Sequence, residues 1–211
     1  MKITVIGASR GTGALAVEEA LRHGHEVTAF ARHPEKLEIE HPSLLRVSGD
    51  FHDADSVDAA IAGRDAVIVT ASATSLKGFK ENPSYFSQGT ALVIDSMKRH
   101  NVRRLLVLSA FGVGESRASV GFLVRKLVVD GLLRRPFRDH ERQERQVKES
   151  GLEWVIVRPS RLTDGPALGK SLRKIEPGPV PSAISRADVA DFLVAAAERD
   201  DWVEKAVHLG G

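Results

Sequence analysis

A glycine-rich turn near the start of the chain has the residue types and spacing that best fit a chemical role. Gly7, Gly11 and Gly13 follow the apolar run 2–6 and precede an amphipathic helical pattern. Residues without a Cβ let the backbone turn tightly and let a pyrophosphate approach the amide groups at the positive end of a helix. Gly13 would also let that helix pack close to the strand. The spacing Gly-x-x-x-Gly-x-Gly between a strand and a helix therefore predicts a dinucleotide-binding turn.

The end of the second predicted strand indicates which dinucleotide this turn would bind. An NAD-specific site places Asp or Glu there, where the carboxylate accepts a hydrogen bond from the ribose 2′-hydroxyl. In this chain Arg32 follows the strand instead. A guanidinium can hold a 2′-phosphate through two hydrogen bonds, and Arg10 could add a second positive charge, which favours NADP(H) over NAD(H). The alternative is that Arg32 is an ordinary surface residue.

Two further strand ends carry candidate cofactor contacts. Asp50 and Phe51 follow the third predicted strand. Asp50 could accept a hydrogen bond from the adenine amine while Phe51 lies beside the ring, or Asp50 could instead start the next helix. Ala71 and Ser72 follow the fourth strand and are small enough to lie beneath a cofactor.

These candidates must be positioned by the alternation of short β-branched runs with longer helical segments. That alternation predicts the α/β class, with one doubly wound parallel sheet of the Rossmann type over residues 1–211 and the strand order 3-2-1-4-5-6-7. The predicted helices cover residues 13–23, 53–62, 84–100, 137–150 and 186–199. Loops at about 110–133 and 159–181 are expected to wall a substrate site. The predicted strands are Lys2–Ile6, Glu26–Ala31, Leu44–Val47, Ala66–Thr70, Arg104–Leu108, Trp154–Arg158 and Ala206–Leu209.

Composition excludes several other classes of protein. The 211 residues include no cysteine, which rules out disulfides, thiolate metal ligands and a cysteine nucleophile and fits a cytoplasmic protein. The chain has 30 Lys and Arg residues against 28 Asp and Glu residues, so no general nucleic-acid-binding surface is expected. The apolar run at the start is too short for a signal peptide, and no later run approaches the ~18 residues of a membrane span. The eight histidines lack a ligand pair at helical spacing, and no metal site is predicted.

The arginine-rich segment 134–148 could be taken for a nucleic-acid patch. Glu141 with Arg145 and Glu144 with Lys148 stand four residues apart. Such pairs favour a solvated, self-paired helix face, and the segment lacks the interleaved aromatic residues that would support base stacking. We therefore expect no nucleic-acid partner.

Taken in order, the motifs resemble those of the atypical short-chain dehydrogenase/reductases, with most likeness to the biliverdin-IXβ reductase/flavin reductase group. The resemblance covers nearly the whole chain. It rests on residues 7–13, Arg32, Gly49-Asp50, residues 65–69, Ser109-Ala110-Phe111, Asp139-His140, residues 149–152 and Arg158-Pro159-Ser160.

The resemblance implies a role for each matching residue. By this resemblance, the pyrophosphate and ribose would be contacted by Gly7, Ser9, Arg10, Gly11 and Thr12, and the 2′-phosphate by Arg32. Adenine would be contacted by Asp50 and Phe51, and the cofactor would be lined by Ala71 and Ser72. The nicotinamide end would lie near His140, Arg161 and Leu162. The group transfers hydride from NADPH to flavins and, in some members, to linear tetrapyrroles.

Three departures from the wider superfamily bear on activity. Tyr85 is the only tyrosine and Gly89 stands four residues later, so the Tyr-x-x-x-Lys acid/base pair is missing. The flavin reductase group does not depend on that pair. Arg161 stands where the group has a histidine, and the group's serine corresponds to Ser109 or Ala110, of which only Ser109 has a hydroxyl.

The sequence therefore predicts an NADPH-dependent oxidoreductase that passes hydride to a small-molecule acceptor, namely a flavin, a quinone-like compound or a tetrapyrrole. Ser109 and His140 are the candidate catalytic residues, although Ser109 could serve a loop amide and His140 could be structural. The expected acceptor pocket is formed by Phe111, Phe122, Leu123, Arg161 and Leu162. The alternative is a catalytically silent NADP(H)-binding redox sensor, and a nucleotide-sugar epimerase is a weaker third hypothesis.

Overall fold

The structure, a computed structural model, describes residues 1–71 and 82–211. Within these ranges the strands are β1 (Lys2–Ile6), β2 (Glu26–Ala31), β3 (Leu44–Ser48), β4 (Ala66–Val69), β5 (Arg104–Leu108), β6 (Glu153–Pro159), β7 (Arg161–Thr163), β8 (Leu172–Lys174), β9 (Ala183–Ser185) and β10 (Lys205–Gly210). The helices of eight or more residues with α geometry are α1 (Gly11–Arg22), α2 (Ala54–Ile61), α3 (Tyr85–Arg99), α4 (Arg134–Lys148) and α5 (Arg186–Glu198). Short 3₁₀ turns cover Pro34–Lys36 and Gly114–Ser119, and a helical segment runs from Phe122–Val124 into the π-helical Arg125–Leu132.

The described strands form an eight-stranded sheet in the order β3-β2-β1-β4-β5-β6-β10-β8. Every neighbouring pair is parallel except β10 with β8. The predicted order is confirmed, because β10 is the seventh predicted strand. The chain reverses direction across the sheet between β1 and β4, which opens a crevice at the carboxyl ends of the strands.

Two apolar layers enclose the sheet. On one face α1 and α5 pack against the strands, and on the other α2, α3 and α4 do so. Most strands are buried on both faces, which explains why they are continuously apolar in sequence. Among the described residues, no helix combines the length and the apolar character needed to cross a bilayer.

The structure adds strands that the sequence pattern did not predict. β8 is a short, exposed antiparallel edge strand, and β7 pairs with β9 in a separate parallel pair. Each has three residues, too few for an alternating apolar pattern to be recognised. The stretches 110–133 and 159–181, expected as loops, therefore contain regular structure.

Local capping signals set several helix boundaries. The Asp53 side chain accepts a hydrogen bond from the Ser56 amide at the start of α2, and the Ser185 side chain accepts one from the Asp188 amide at the start of α5. Asp and Ser are preferred at this position because their side-chain oxygens accept a hydrogen bond from an amide of the first turn that has no partner within the helix. Helix α1 begins two residues earlier than predicted and α4 three residues earlier, since Pro136 is tolerated in a first turn.

A buried ionic cluster joins β6 to α4. The Arg158 side chain, only 1% exposed, donates from Nε to Glu144 Oε1 at 2.9 Å and from Nη2 to Glu144 Oε2 at 2.5 Å. Arg158 Nη2 also donates to Glu115 Oε2 at 2.7 Å, and Lys148 Nζ donates to Glu115 Oε1 at 2.9 Å. Both carboxylates are thus held by cations from other elements of the fold.

The surface pairs predicted along α4 are therefore wrong. Glu144 faces the sheet and bonds Arg158 rather than Lys148, which reaches Glu115. Glu141 lies 3.9 Å from Arg117. Spacing along one helix cannot show which charged residue faces the core, and the buried guanidinium of Arg158 takes Glu144 inward because an unpaired buried charge is costly.

His208 completes this cluster on β10. Its Nε2 lies 3.2 Å from Arg158 Nη1. A guanidinium can only donate, so Nε2 accepts and the ring proton is on Nδ1. Burial lowers the pKa of His208 and the positive charge of Arg158 lowers it further, which keeps the imidazole neutral.

We expect Gly13→Ala to destabilise the protein. Alanine inside a helix is normally favoured over glycine by about 1 kcal/mol. At Gly13, however, an added Cβ would overlap the Gly7 carbonyl oxygen and would lie 2.6 Å from Thr70 Oγ1. Overpacking of this kind costs about 1–3 kcal/mol, so the net effect is a loss. Urea unfolding measures it, with Gly121→Ala as the control because no atom lies within 4 Å of its added Cβ. Equal stability of the Gly13 variant and wild type would contradict this packing.

We also expect Glu115→Gln to lower stability in a pH-dependent way. Burial by itself would raise the pKa of Glu115, but hydrogen bonds from Lys148 and Arg158 outweigh it and lower that pKa from 4.5 to about 2. The carboxylate thus stabilises the fold above about pH 4.5, and this contribution is lost as the pH falls through about 2.

The gap between wild type and this variant should be about 1 kcal/mol or less at pH 7, because the Glu115 side chain is more than half exposed. The gap should close as the pH is lowered towards 3. Urea unfolding at several pH values measures it, and Glu18→Gln controls for the loss of one surface charge. A gap that widens on acidification would contradict the assignment.

Candidate functional site

A single long cleft runs across the carboxyl ends of β1 to β5 and has a volume of about 1180 Å³. This exceeds the roughly 300–1,000 Å³ of typical small-ligand pockets and leaves room for a dinucleotide. Ten of the residues predicted from sequence line it: Gly7, Ser9, Arg10, Gly11, Thr12, Arg32, Asp50, Phe51, Ala71 and Leu162. Gly13 lies behind this lining, against β1.

The glycine turn forms the floor of the cleft. Gly7 has φ +87°, and an added Cβ would lie 2.7 Å from Ala71 Cα, so the turn passes very close to the end of β4. Gly11 has φ +56° and opens helix α1. The residue before it, Arg10, makes no side-chain cap hydrogen bond. The first amide groups of α1 therefore point to the cleft without a side-chain cap, at the end of the helix dipole that attracts anions.

Positive groups collect where β2 ends. Arg32 and His33 follow the strand, and the 3₁₀ turn Pro34–Lys36 brings the Lys36 side chain back to the cleft. Arg10 lines the same cleft from the glycine turn. Glu35, the carboxylate nearest in sequence, lies 3.2 Å from His33 Nδ1 and is not part of the lining. This end of the cleft is suited to a phosphate.

The neighbouring wall has an aromatic surface and one carboxylate. Asp50 does not start α2, since Asp53 takes that position. Its Oδ1 accepts a hydrogen bond of 2.8 Å from the His52 amide. Phe51 is mostly buried and lies over Gly89 of α3, where any side chain would overlap the phenyl ring. The Tyr85 ring lies 4.6 Å from that of His52, so the two rings extend this wall.

Below the middle of the cleft the wall consists of small residues. Thr70 Oγ1 donates to the Ile6 carbonyl at 2.9 Å, and Ala71 follows it at the surface of the cleft. Ser72, predicted to continue this lining, lies outside the described residues.

The two candidate catalytic residues do not line the cleft. Ser109 is buried, and its Oγ donates to Glu144 Oε1 at 2.7 Å. His140 is also buried and stacks on Phe86 with ring centroids 3.8 Å apart. Both side chains thus contact or belong to helix α4 behind the cleft wall.

Hydrogen bonds place a ring proton of His140 on Nδ1, and burial keeps the ring neutral. Gln143 Nε2 donates to Thr90 Oγ1, which leaves Gln143 Oε1 to accept from His140 Nδ1 at 2.8 Å. Burial lowers the pKa of His140 against the opposing effects of Gln143, Glu144 and Asp139, so the ring is neutral near pH 7. Such a ring orients its neighbours and does not carry a charge.

Asp139 has a structural role in the same place. Its carboxylate accepts hydrogen bonds from the Phe86 amide at 2.7 Å and from Ser87 Oγ at 2.6 Å. It therefore caps the start of α3 from helix α4. The sequential pair Asp139-His140 thus fixes α3 against α4 and does so next to the cleft.

The predicted acceptor pocket is not assembled in the structure. Leu162 lines the cleft beside Leu108. Phe111 packs against His208, with ring centroids 5.7 Å apart. Phe122 and Leu123 are 63% and 69% exposed, and Arg161 is exposed, so none of these three lines the cleft.

Several lining residues were not singled out from sequence: His33, Lys36, His52, Asn82, Tyr85, Asp164 and Arg186. Lys36 could have been found, because it stands one short turn after Arg32. Arg186 and Asp164 could not, because their ion pair of 2.7 Å joins the first residue of α5 to a loop 22 residues earlier.

Comparisons with known proteins place the whole chain among relatives of the same fold. An uncharacterized chloroplastic protein of Arabidopsis thaliana is 26% identical over 99% of this chain and 76% of its own length. A short-chain dehydrogenase/reductase of Veillonella parvula, solved in complex with NADP, has a TM-score of 0.82 at 18% identity over 100% of this chain and 94% of its own.

An anaerobillin reductase of Escherichia coli O157:H7 has a TM-score of 0.83 at 23% identity over 100% of this chain and 97% of its own. At these identities the structural likenesses establish the fold. The family model described as NAD(P)H-binding matches residues 7–200, nearly the whole chain. On this evidence the protein belongs to the NAD(P)H-binding family of Rossmann-fold proteins.

Proposed function

We propose that this protein is an NADPH-dependent reductase that passes hydride to a flavin, a quinone-like compound or a tetrapyrrole. The observation that carries the proposal is the distribution of groups along the cleft. Its β2 end is basic, while Leu108 and Leu162 add apolar surface on the side of β5 and β7, where Asp164 and Arg186 neutralise each other in an ion pair. A phosphorylated adenosine fits the basic end, and a flat conjugated acceptor fits the apolar surface.

The described residues suit the cofactor without rearrangement of the turn. The amides of α1 at Gly11 and Thr12 would receive the pyrophosphate, with Ser9 beside them. Arg32 would hold the 2′-phosphate, with Arg10 and Lys36 adding positive charge. The solved neighbour from Veillonella parvula holds NADP in the same fold, which supports this assignment.

The position of Tyr85 argues against a simple carbonyl substrate. Burial raises the pKa of the Tyr85 hydroxyl, and Arg32, Asp50 and Arg10 all act on it through their charges. The only tyrosine of the chain therefore lies among the groups of the adenosine end. A carbonyl reductase needs a proton donor at the opposite, nicotinamide end.

Hydride transfer to a conjugated acceptor does not require a proton donor from the protein. NADPH, when bound, supplies the hydride. Leu108 and Leu162 would hold the acceptor against the nicotinamide, and this positioning provides most of the acceleration. Charge left on a reduced flavin is delocalised and can be neutralised by a proton from solvent. Ser109 and His140 enter the proposal as positioning residues, because their hydrogen bonds hold α4 and the cleft wall.

Arg32→Ala should weaken NADP binding by about 10- to 100-fold and leave NAD binding nearly unchanged, since a hydrogen-bonded charge pair contributes roughly 1.5–3 kcal/mol. Titration calorimetry with both dinucleotides measures the ratio. Arg103→Ala is the matched control, because Arg103 precedes β5 at the opposite end of the sheet and pairs with Glu153. Equal losses for NADP and NAD would overturn the 2′-phosphate assignment.

A panel of acceptors separates a reductase from a sensor. With NADPH, we expect the protein to reduce FMN, a benzoquinone or biliverdin and to oxidise the cofactor at the same time. The reaction is monitored by the fall in the absorbance of NADPH. Gly11→Val should abolish this turnover, because a β-branched residue is strained at φ +56° and covers the amides. Saturable NADPH binding with no turnover on any of the three would support the redox sensor instead.

A further inference from the structure

Two histidines and a glutamate meet at the amino-terminal end of the sheet, far from the cleft. His23 follows helix α1, His25 precedes β2, and Glu198 is the last residue of α5. Glu198 Oε1 lies 2.8 Å from His23 Nδ1 and 2.8 Å from His25 Nε2. One ligand atom from each residue lies within 4.8 Å of the other two.

The outer nitrogen of His23 is also held. His23 Nε2 lies 3.1 Å from Glu19 Oε1, one turn earlier on α1. Imidazoles that bind metals almost always have their second nitrogen fixed by a carboxylate or carbonyl in this way, because that contact sets the ring orientation and the tautomer. Glu19 is itself anchored by Arg22.

The end of the sheet at which the cluster lies suits a cation, because helices α1 and α5 both end there and the carboxyl end of a helix dipole attracts positive charge. The carboxylates of Glu19 and Glu198 are accompanied by the guanidinium of Arg22 and by the amino terminus, whose nitrogen lies 3.3 Å from His25 Nδ1. His25 is buried, whereas the side chains of His23 and Glu198 are about one quarter and one third exposed, which leaves a path to solvent.

We propose that His23, His25 and Glu198 form a zinc site, with Nδ1, Nε2 and a carboxylate oxygen as ligands and water in the fourth position. Imidazole and carboxylate are ordinary zinc ligands, at about 2.0–2.2 Å from the metal. A tetrahedral ion at that distance needs its ligand atoms about 3.4 Å apart. The 2.8 Å contacts would therefore lengthen by about 0.6 Å, which the partly exposed side chains of His23 and Glu198 allow.

Binding requires that each ring give a lone pair to zinc from the nitrogen that now faces Glu198. The His23 ring would then carry its proton on Nε2 and donate it to Glu19, and the His25 ring would carry its proton on Nδ1. Arg22 Nη2, 3.1 Å from His23 Nε2, and the amino terminus, 3.3 Å from His25 Nδ1, would turn away, because both groups can only donate. The site would connect α1, β2 and α5 at the end of the sheet opposite the glycine turn. Its effect should thus be on stability and not on the dinucleotide.

Sequence spacing could not have shown this site. His23 and His25 stand two residues apart, outside the helical spacing typical of zinc pairs, and Glu198 follows 173 residues later. Only the packing of α1 against α5 brings them together.

The test is calorimetric titration of chelator-treated full-length protein with Zn²⁺. We expect one zinc ion per chain in wild type and at least a 10-fold weaker affinity in both His23→Gln and Glu198→Gln. His41→Gln is the matched control, an exposed histidine whose Nδ1 accepts only the Ser43 amide. Unchanged affinity in both site variants, or no saturable binding by wild type, would overturn the proposal.

Two further readouts separate metal binding from a folding defect. Zn²⁺ should raise the Tm of wild type and His41→Gln but not that of the site variants, each compared with its own metal-free form. Co²⁺ should give wild type the intense visible bands of a four- or five-coordinate ion, and these should vanish in His23→Gln. NADP titration of the same proteins should give equal affinities. Octahedral cobalt bands in wild type would contradict the site.

Discussion

Helix α1 lies so close to the centre of the sheet that only glycine fits at two points of contact. Gly13 faces the carbonyl of Gly7, and Gly7 in turn faces the backbone at Ala71. This approach fixes where the first amides of α1 point, and the cleft is arranged around them. The basic residues after β2 and the small residues after β4 are useful to a phosphate-bearing ligand only because the helix end stands between them.

The parallel sheet also gives the molecule two chemically different ends. At the carboxyl end of the strands, uncapped amides and the side chains of Arg10 and Arg32 favour an anion. At the amino end, Glu19 and Glu198 contact two imidazoles beside the last residues of α1 and α5, where the helix dipoles favour a cation. Because helices run antiparallel to the strands they follow, each end collects one kind of helix terminus, and the side chains there extend the same polarity.

The buried cluster of Arg158, Glu144 and His208 explains why two residues predicted from sequence to be catalytic are instead held in hydrogen bonds within the fold. Ser109 stands at the end of a parallel strand, where ligands usually bind, but its hydroxyl donates a hydrogen bond to Glu144. His140 lies near the same carboxylate and is held by Gln143. A guanidinium buried in the core requires a carboxylate partner and further hydrogen bonds, and helix α4 supplies the carboxylate.

Sequence by itself determined the strand order and the glycine turn, because the alternation of strands and helices and the spacing of the glycines can be read within short segments. It also indicated Arg32, whose position follows from the end of β2. Only the tertiary structure decided that Glu144 turns inward, that Tyr85 stands beside the basic end of the cleft, and that Glu198 meets two histidines. Those contacts join residues from different elements, and a side chain's partner across an interface is set by packing, which leaves no local pattern in the chain.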